Sequence, residues 1–147
     1  METTMTQFEM DPAFAKATTF IADWPVCRVL LAEDARYPWL QLLPRCGFVT
    51  ELLDIPREQR PALMEEIALA CEAVKKIQPD CKLNIGTLGI IVPQMHIHVL
   101  GRTPGDPAWP GPVWGHKSEA VPYDEKVREA RVTLVRSFSP NAYPLEI

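Results

Sequence analysis

The 147-residue sequence predicts an α+β fold, and three observations support this prediction. Short runs of β-branched, aliphatic and aromatic residues are separated by turn residues, which is typical of strands. One long segment repeats its apolar residues at intervals of three and four, which is typical of an amphipathic helix. The length suits one domain with its own hydrophobic core. We therefore expect a single domain over residues 1–147, with a core at about 18–102 and a C-terminal extension at about 103–147.

Three strands are predicted in the first third of the chain. They cover residues 18–22 (TTFIA), 26–31 (VCRVLL) and 39–43 (WLQLL), and Pro44 closes the third. The connection between the second and third contains EDARYP and is only a few residues long. These two strands should therefore form an antiparallel hairpin.

A long helix and two further strands are predicted in the middle of the chain. The helix should bury one apolar face, formed by Leu63, Ile67, Ala70, Cys71, Val74 and Ile77. Asp54 and Pro56 resemble a cap and first turn, but Pro61 would then interrupt the helix, so we expect a kink or a later start near Pro61. Residues 78–80 end the helix. Strands are expected at 82–86 and 90–100, joined by a turn at 86–89.

The C-terminal extension begins with a segment rich in proline and tryptophan. Residues 103–115 (TPGDPAWPGPVWG) contain four prolines and two tryptophans and can form few backbone ladder bonds. A last helix is expected from about residue 123. Its apolar side should comprise Val127, Ala130, Leu134 and Phe138.

Composition and charge exclude several functional classes. A net charge of −4 and a pI near 5.4 disfavour nucleic-acid binding, which usually needs a basic face. No window approaches the roughly 20 apolar residues of a membrane span. The acidic start of the sequence differs from a signal peptide, and the four cysteines lack the spacing of a disulfide framework. We therefore expect a cytoplasmic protein.

Residues 92–102 (VPQMHIHVLGR) alternate polar and apolar side chains, and His96 and His98 share a parity. Such a pair can bind a metal, attack phosphorus through one imidazole, or simply face solvent. In jelly-roll metal enzymes a glutamate often follows within a few residues, whereas Val99, Leu100 and Gly101 follow here. The long helix also disfavours an all-β barrel. We therefore predict no metal site and no cofactor.

The sequence at residues 94–102 (QMHIHVLGR) resembles the signature of the histidine triad (HIT) superfamily. That signature is His-φ-His-φ-His-φ-φ, where φ is apolar, and Gln94 replaces its first histidine. The element order over residues 18–102 is similar as well, and the Trp-Pro-rich extension resembles that of bacterial HIT proteins. The resemblance implies a HIT-like fold: a five-stranded antiparallel sheet with packed helices, usually forming a homodimer.

The resemblance implies hydrolase or nucleotidyl transferase activity on a purine nucleotide. The substrate would be a nucleoside phosphoramidate or a dinucleoside polyphosphate, attacked at its α-phosphate. By motif position His96 is the nucleophile that forms a nucleotidyl-histidine, and His98 contacts the phosphate or the departing group. Imidazole chemistry is consistent with these roles, since a neutral ring is nucleophilic and an imidazolium at His98 would stabilise charge.

Two departures from the family pattern leave an alternative open. Gln94 can form hydrogen bonds but cannot titrate, so it can orient a neighbour without relaying a proton. Residues 89–92 (GIIV) lack the hydroxyl that the family often places just before its motif. The alternative is a nucleotide-binding module with little or no catalysis.

Three further residues are candidates for nucleotide binding. Asp34 resembles the family's acid that binds ribose hydroxyls, and Asn84 matches a family asparagine near the phosphates if the alignment slips by one residue. Arg102 follows the motif and can neutralise phosphate charge with its planar guanidinium. Each also has an ordinary structural interpretation as a turn residue, a strand-end amide or a surface cation.

Overall fold

One five-stranded antiparallel sheet forms the centre of the structure, a computed structural model that describes residues 7–140. The strands are β1 (Thr18–Asp23), β2 (Cys27–Ala32), β3 (Trp39–Pro44), β4 (Lys82–Gly86) and β5 (Ile97–Arg102). Their order in the sheet is β1-β2-β3-β5-β4, and every neighbouring pair is antiparallel. The predicted fold class is therefore confirmed. Residues 1–6 and 141–147 of the predicted domain lie outside the described residues.

One face of the sheet packs against two helices, α2 (Arg60–Ile77) and α3 (Glu125–Arg136), and this layer forms the main core. The helix α2 begins near Pro61 as predicted, where a missing backbone N–H costs nothing in the first turn. The buried carboxylate of Glu66 accepts hydrogen bonds from the backbone N–H groups of Val26 and Cys27, at 2.8 Å each. These bonds attach α2 to the start of β2.

Helix α3 is present, but its apolar side was predicted only in part, since Phe138 packs against the core as expected. Val127 is exposed, whereas Val132 and Val135 are buried against the core. The helix is turned this way because two arginines face the protein body. Arg128 forms an ion pair with Glu33, and Arg131 donates to the Tyr37 carbonyl.

The last strand is shorter than the sequence predicted. We expected a strand over residues 90–100, but β5 begins only at Ile97 and the preceding residues form an irregular loop. Gly89 has a positive φ of 66°, and Pro93 has no N–H to give to a ladder. Gln94 and His96 therefore precede the strand that carries His98.

The second face of the sheet is covered at its two ends and open between them. A short helix α1 (Pro12–Ala17), which we did not predict, contributes Phe14 to one apolar cluster. The Trp-Pro-rich segment contributes Val113 and Trp114 to another. His98, Gln41 and Gly86 stand side by side on this face, across β5, β3 and β4.

Candidate active site

The two motif histidines meet at one cavity on the open face of the sheet. The ring centroids of His96 and His98 are 4.9 Å apart, and the ring planes are inclined by 77°. Both rings line a cavity of about 410 Å³, which α1, the loop before β5 and the segment around Trp114 enclose. The strand predicted to carry both rings begins only at Ile97, but the loop before it brings the His96 ring to the same cavity as His98, as expected.

A backbone carbonyl fixes the protonation of His96. Its Nδ1 lies 2.8 Å from the carbonyl oxygen of Gln94, which can only accept, so Nδ1 carries the proton. The lone pair of the neutral ring is then on Nε2. Phe14 packs against the ring edge-to-face, with centroids 5.0 Å apart. His96 is thus held with one nitrogen available for attack.

An indole gives His98 the opposite tautomer. Trp39 Nε1–H donates to His98 Nδ1 at 3.1 Å, and because an indole N–H only donates, Nδ1 must be unprotonated. Burial lowers the pKa of His98 to about 4, and the nearby His96 contributes in the same direction. His98 is therefore neutral at pH 7 and carries its proton on Nε2. The expectation of an imidazolium at this position was wrong.

The Gln94 side chain points away from the cavity, contrary to the alternation in the sequence. Its oxygen accepts from the backbone N–H of Asp11, and its amide nitrogen donates to the carbonyl of Glu9, both at 2.8 Å. The side chain is only 2% exposed. Gln94 therefore anchors the segment before α1, and its contribution to the site is the backbone carbonyl that binds His96.

Arg102 and Asn84 bind each other and do not line the histidine cavity. Arg102 Nε and Nη2 donate to the two carboxylate oxygens of Asp106 at 2.7 and 3.0 Å, and Nη1 donates to Asn84 Oδ1 at 3.1 Å. The Arg102 and Asp106 side chains are both almost fully buried. Their polar groups join the extension to the sheet, and a phosphate role for either residue stays a prediction.

Asp34 lies at a second cavity of about 420 Å³, which shares Ala17 and Gln41 with the first. Its two carboxylate oxygens accept from Arg36 Nε and Nη2, at 2.9 Å each. Burial alone would raise the pKa of Asp34, but hydrogen bonds from Arg36 and the Val121 N–H bring it below its ordinary value. Asp34 is therefore charged and already paired, so a ribose would have to compete with Arg36.

The sequence offered Trp114 as a residue that could stack near a base, but it did not place Trp114 or Trp39 beside the histidines. The Trp114 ring lies 5.6 Å from that of His98, and it occupies the space over Gly86, the residue paired with His98 in the sheet. A Cβ built at Gly86 would come within 2.7 Å of Trp114 Cη2. The glycine in a strand was the available signal, since it often marks a close approach. No local signal identified Trp39.

Two searches of the described residues bear on the other functional classes. Within residues 7–140 no group of three or more histidine, cysteine or acidic side chains could hold a metal ion. None of the helices in that range has the length and apolarity needed to cross a membrane.

Comparison with known proteins identifies the family. The family model described as the HIT domain matches residues 14–105. A comparison with curated proteins found no significant match. Among solved structures, a histidine triad protein from Bradyrhizobium japonicum is 36% identical with a TM-score of 0.85, and the alignment covers 90% of this chain and 98% of that chain.

Two further bacterial structures agree with this result. A histidine triad (HIT) protein from Sinorhizobium meliloti is 34% identical, with a TM-score of 0.85 and coverage of 91% of this chain and 98% of that one. A histidine triad protein from Marinobacter aquaeolei is 35% identical, with a TM-score of 0.84 and coverage of 90% and 96%. The chain therefore belongs to the HIT family, whose members generally bind nucleotides and hydrolyse or transfer them.

Proposed function

We propose that this protein is a nucleotide hydrolase or nucleotidyl transferase that acts through a covalent nucleotidyl-His96. The observation that supports the proposal is the pair of opposite tautomers at one cavity. His96 offers an unprotonated Nε2, and His98 offers an Nε2–H donor beside it. A nucleophile and a neighbouring donor are what displacement at phosphorus requires.

The reaction divides into two displacements. The Nε2 lone pair of His96 attacks the α-phosphorus, and the bond from phosphorus to the leaving group breaks with its electron pair. Charge on the nucleotidyl-imidazolium is shared with Nδ1–H, which remains bonded to the Gln94 carbonyl. His98 Nε2–H donates to a phosphate oxygen, and water then displaces His96 to give the nucleoside monophosphate and a proton.

The second cavity is the proposed position of the nucleoside. It adjoins the first at Ala17 and Gln41, so a substrate with its α-phosphate at the histidines can extend into it. Asp34 would bind the ribose hydroxyls there if Arg36 moved aside. The preference for a purine rests on the family resemblance alone, and the cytoplasmic location rests on the N-terminal sequence and the cysteine spacing.

The alternative is a nucleotide-binding module with little or no turnover. Gln94 supports this alternative in one respect, because a glutamine at the first motif position supplies no titratable group. The structure adds that its side chain is directed away from the cavity. A binding module would bind nucleotide but would form no covalent adduct.

Covalent capture distinguishes these two functions. The protein is incubated with a dinucleoside polyphosphate or an adenylyl phosphoramidate, each labelled in the adenylyl group. The reaction is stopped with denaturant at alkaline pH, where the P–N bond to histidine is stable, and the protein is analysed by mass spectrometry. We expect adenylyl attached to His96 in the wild type and in His98→Ala, with none in His96→Ala. Nucleotide binding without labelling of any variant would support the binding module.

A further inference from the structure

The wall of the histidine cavity contains no acid that could protonate a leaving group. Apart from the two imidazoles, its lining within the described chain consists of aliphatic and aromatic residues, glycines and the amide of Gln41. Charged groups, including Lys16 and Arg36, line the second cavity, where the proposed function places the nucleoside. Apart from His96, the nucleophile, a leaving group that departs into the first cavity therefore meets one titratable side chain of the described residues, His98.

Trp39 prevents His98 from acting as that acid. A neutral imidazole is a very weak acid, and His98 becomes an imidazolium only if Nδ1 also takes a proton. Nδ1 already accepts a hydrogen bond from the Trp39 Nε1–H. If Nδ1 were protonated, its own N–H would face the indole N–H, and because both groups only donate, this hydrogen bond would be lost. Burial of the ring also disfavours the charged form. His98 can donate a hydrogen bond but cannot transfer a proton to the leaving group.

We propose that the enzyme transfers nucleotidyl groups from weakly basic, phosphate-type leaving groups and discriminates against amines, with Trp39 as the positioning residue. This inference rests on the proposed function and specifies its substrate class. When the bond from phosphorus to a phosphate oxygen breaks, the electron pair stays on an oxyanion that is stable at neutral pH. When a P–N bond breaks, the pair stays on a strongly basic nitrogen that needs a proton, and this cavity supplies none.

The test compares two substrates that share an adenylyl group, a dinucleoside polyphosphate and an adenylyl phosphoramidate of a simple alkylamine. First-turnover rates of leaving-group release are measured for each with the full-length protein. We expect the polyphosphate to react at least about 100-fold faster, since positioned general acids typically contribute about 10²- to 10⁴-fold. Equal rates, or a faster phosphoramidate, would overturn the inference.

Trp39→Phe tests the role of the indole, because it retains an aromatic ring but removes the donor. Nδ1 of His98 can then take a proton, so we expect the rate ratio between the two substrates at pH 6 to shrink by about 10-fold. Trp114→Phe is the matched control. Its ring also contacts His98 but donates no hydrogen bond to it, so the ratio should not change whatever happens to the absolute rates. An unchanged ratio in Trp39→Phe would refute the positioning role.

The tautomer itself is measurable without turnover. The sequence contains three histidines, so ¹⁵N-histidine labelling gives few signals, and His98→Asn assigns the relevant ring. We expect an unprotonated Nδ1 and a protonated Nε2 for His98 at pH 7 in the wild type, and a mixture in Trp39→Phe. A protonated Nδ1 in the wild type would contradict the inference. The absence of adenylyl-His96 with either substrate would instead refute the proposed function.

Discussion

Two hydrogen bonds give neighbouring imidazoles different properties at the scale of the residue. The Gln94 carbonyl keeps the proton on Nδ1 of His96, and the Trp39 indole keeps it off Nδ1 of His98. Neither assignment needs a charged partner, so the distinction persists while both rings are neutral. An unprotonated nitrogen and a hydrogen-bond donor therefore belong to two rings whose centroids are 4.9 Å apart.

The pKa of His98 makes folding stability depend on pH. The unfolded chain binds a proton at this residue near pH 6.5, whereas the folded protein binds it only near pH 4. Between these values the unfolded state holds more protons, so the free energy of unfolding falls as the pH is lowered from about 6.5 to about 4. The loss due to His98 should reach up to about 3 kcal/mol.

Urea denaturation at several pH values measures this effect. His98→Asn removes the titrating group, so the difference between variant and wild type isolates it from other histidines and from the carboxylates. Parallel stability curves for the two proteins across this pH range would show that the pKa of His98 is not lowered in the folded protein.

The buried Arg102–Asp106 pair should matter for stability and not for phosphate binding. In Asp106→Asn the Arg102 guanidinium loses its charged partner while remaining buried, which costs about 3 kcal/mol for comparable pairs. We expect denaturant midpoints to fall accordingly, while the nucleotide Kd of the folded variant changes less than about 3-fold. A large loss of affinity in the folded variant would support the phosphate role predicted from the sequence.

At this scale the sequence predicted that the two histidines lie together at one cavity, but it did not predict their surroundings. A seven-residue motif identifies His96 and His98, because their spacing along the chain is part of the signal. The donors and acceptors that set their tautomers come from Trp39, distant in sequence, and from the backbone of Gln94. Side-chain direction at Gln94 depended on where β5 begins, which alternation alone does not determine.

At the scale of the element, the C-terminal extension packs closely on the sheet because Gly86 has no side chain. Gly86 in β4 leaves space for the Trp114 ring beside His98. In Gly86→Ala the new methyl would overlap that ring, so we expect Trp114 to be displaced and the KM for nucleotide to rise by several-fold. Steady-state kinetics and tryptophan fluorescence measure these changes.

A double-mutant cycle shows whether the effect of Gly86→Ala depends on Trp114. In a Trp114→Ala background the ring is gone, so adding Gly86→Ala should cost little more. Additive losses in the cycle would mean that the alanine disturbs β4 itself and that Trp114 is not seated on Gly86.

Elements with strong periodicity were predictable, and irregular ones were not. The first three strands and α2 were found within two residues at each end, since their apolar patterns are unambiguous. Helix α1 is six residues long and was missed, although Asp11 before Pro12 is a typical helix start. The apolar face of α3 was misassigned in part because Arg128 and Arg131 face inward. Arg128 forms an ion pair with Glu33 there, and Arg131 donates to the Tyr37 carbonyl.

At the scale of the whole molecule, the family resemblance predicts a homodimer, and one surface is suited to it. Strand β4 is an edge of the sheet in the described chain, and Ile85 and Leu88 are half exposed there. The adjoining Ile90 and Ile91 are 83% and 95% exposed. Unpaired edges with contiguous apolar side chains commonly mark interfaces.

Sedimentation analysis of two matched variants tests this surface. Ile85→Lys on β4 should shift the protein from dimer to monomer. Phe20→Lys introduces the same charge on β1, the opposite edge strand, where Phe20 has a similar exposure, and it should leave the dimer intact. A monomeric wild type, or a dimer sensitive only to Phe20→Lys, would contradict the prediction.

The same cavity that lacks an acid also lacks a base. Water must lose a proton as it attacks phosphorus, but His98 has no free lone pair for that proton while Trp39 binds Nδ1. An incoming phosphate is already ionised and needs no such help. The adenylylated protein should therefore persist in water and discharge faster to anionic acceptors, which makes transfer between phosphates the faster outcome and hydrolysis the slower one.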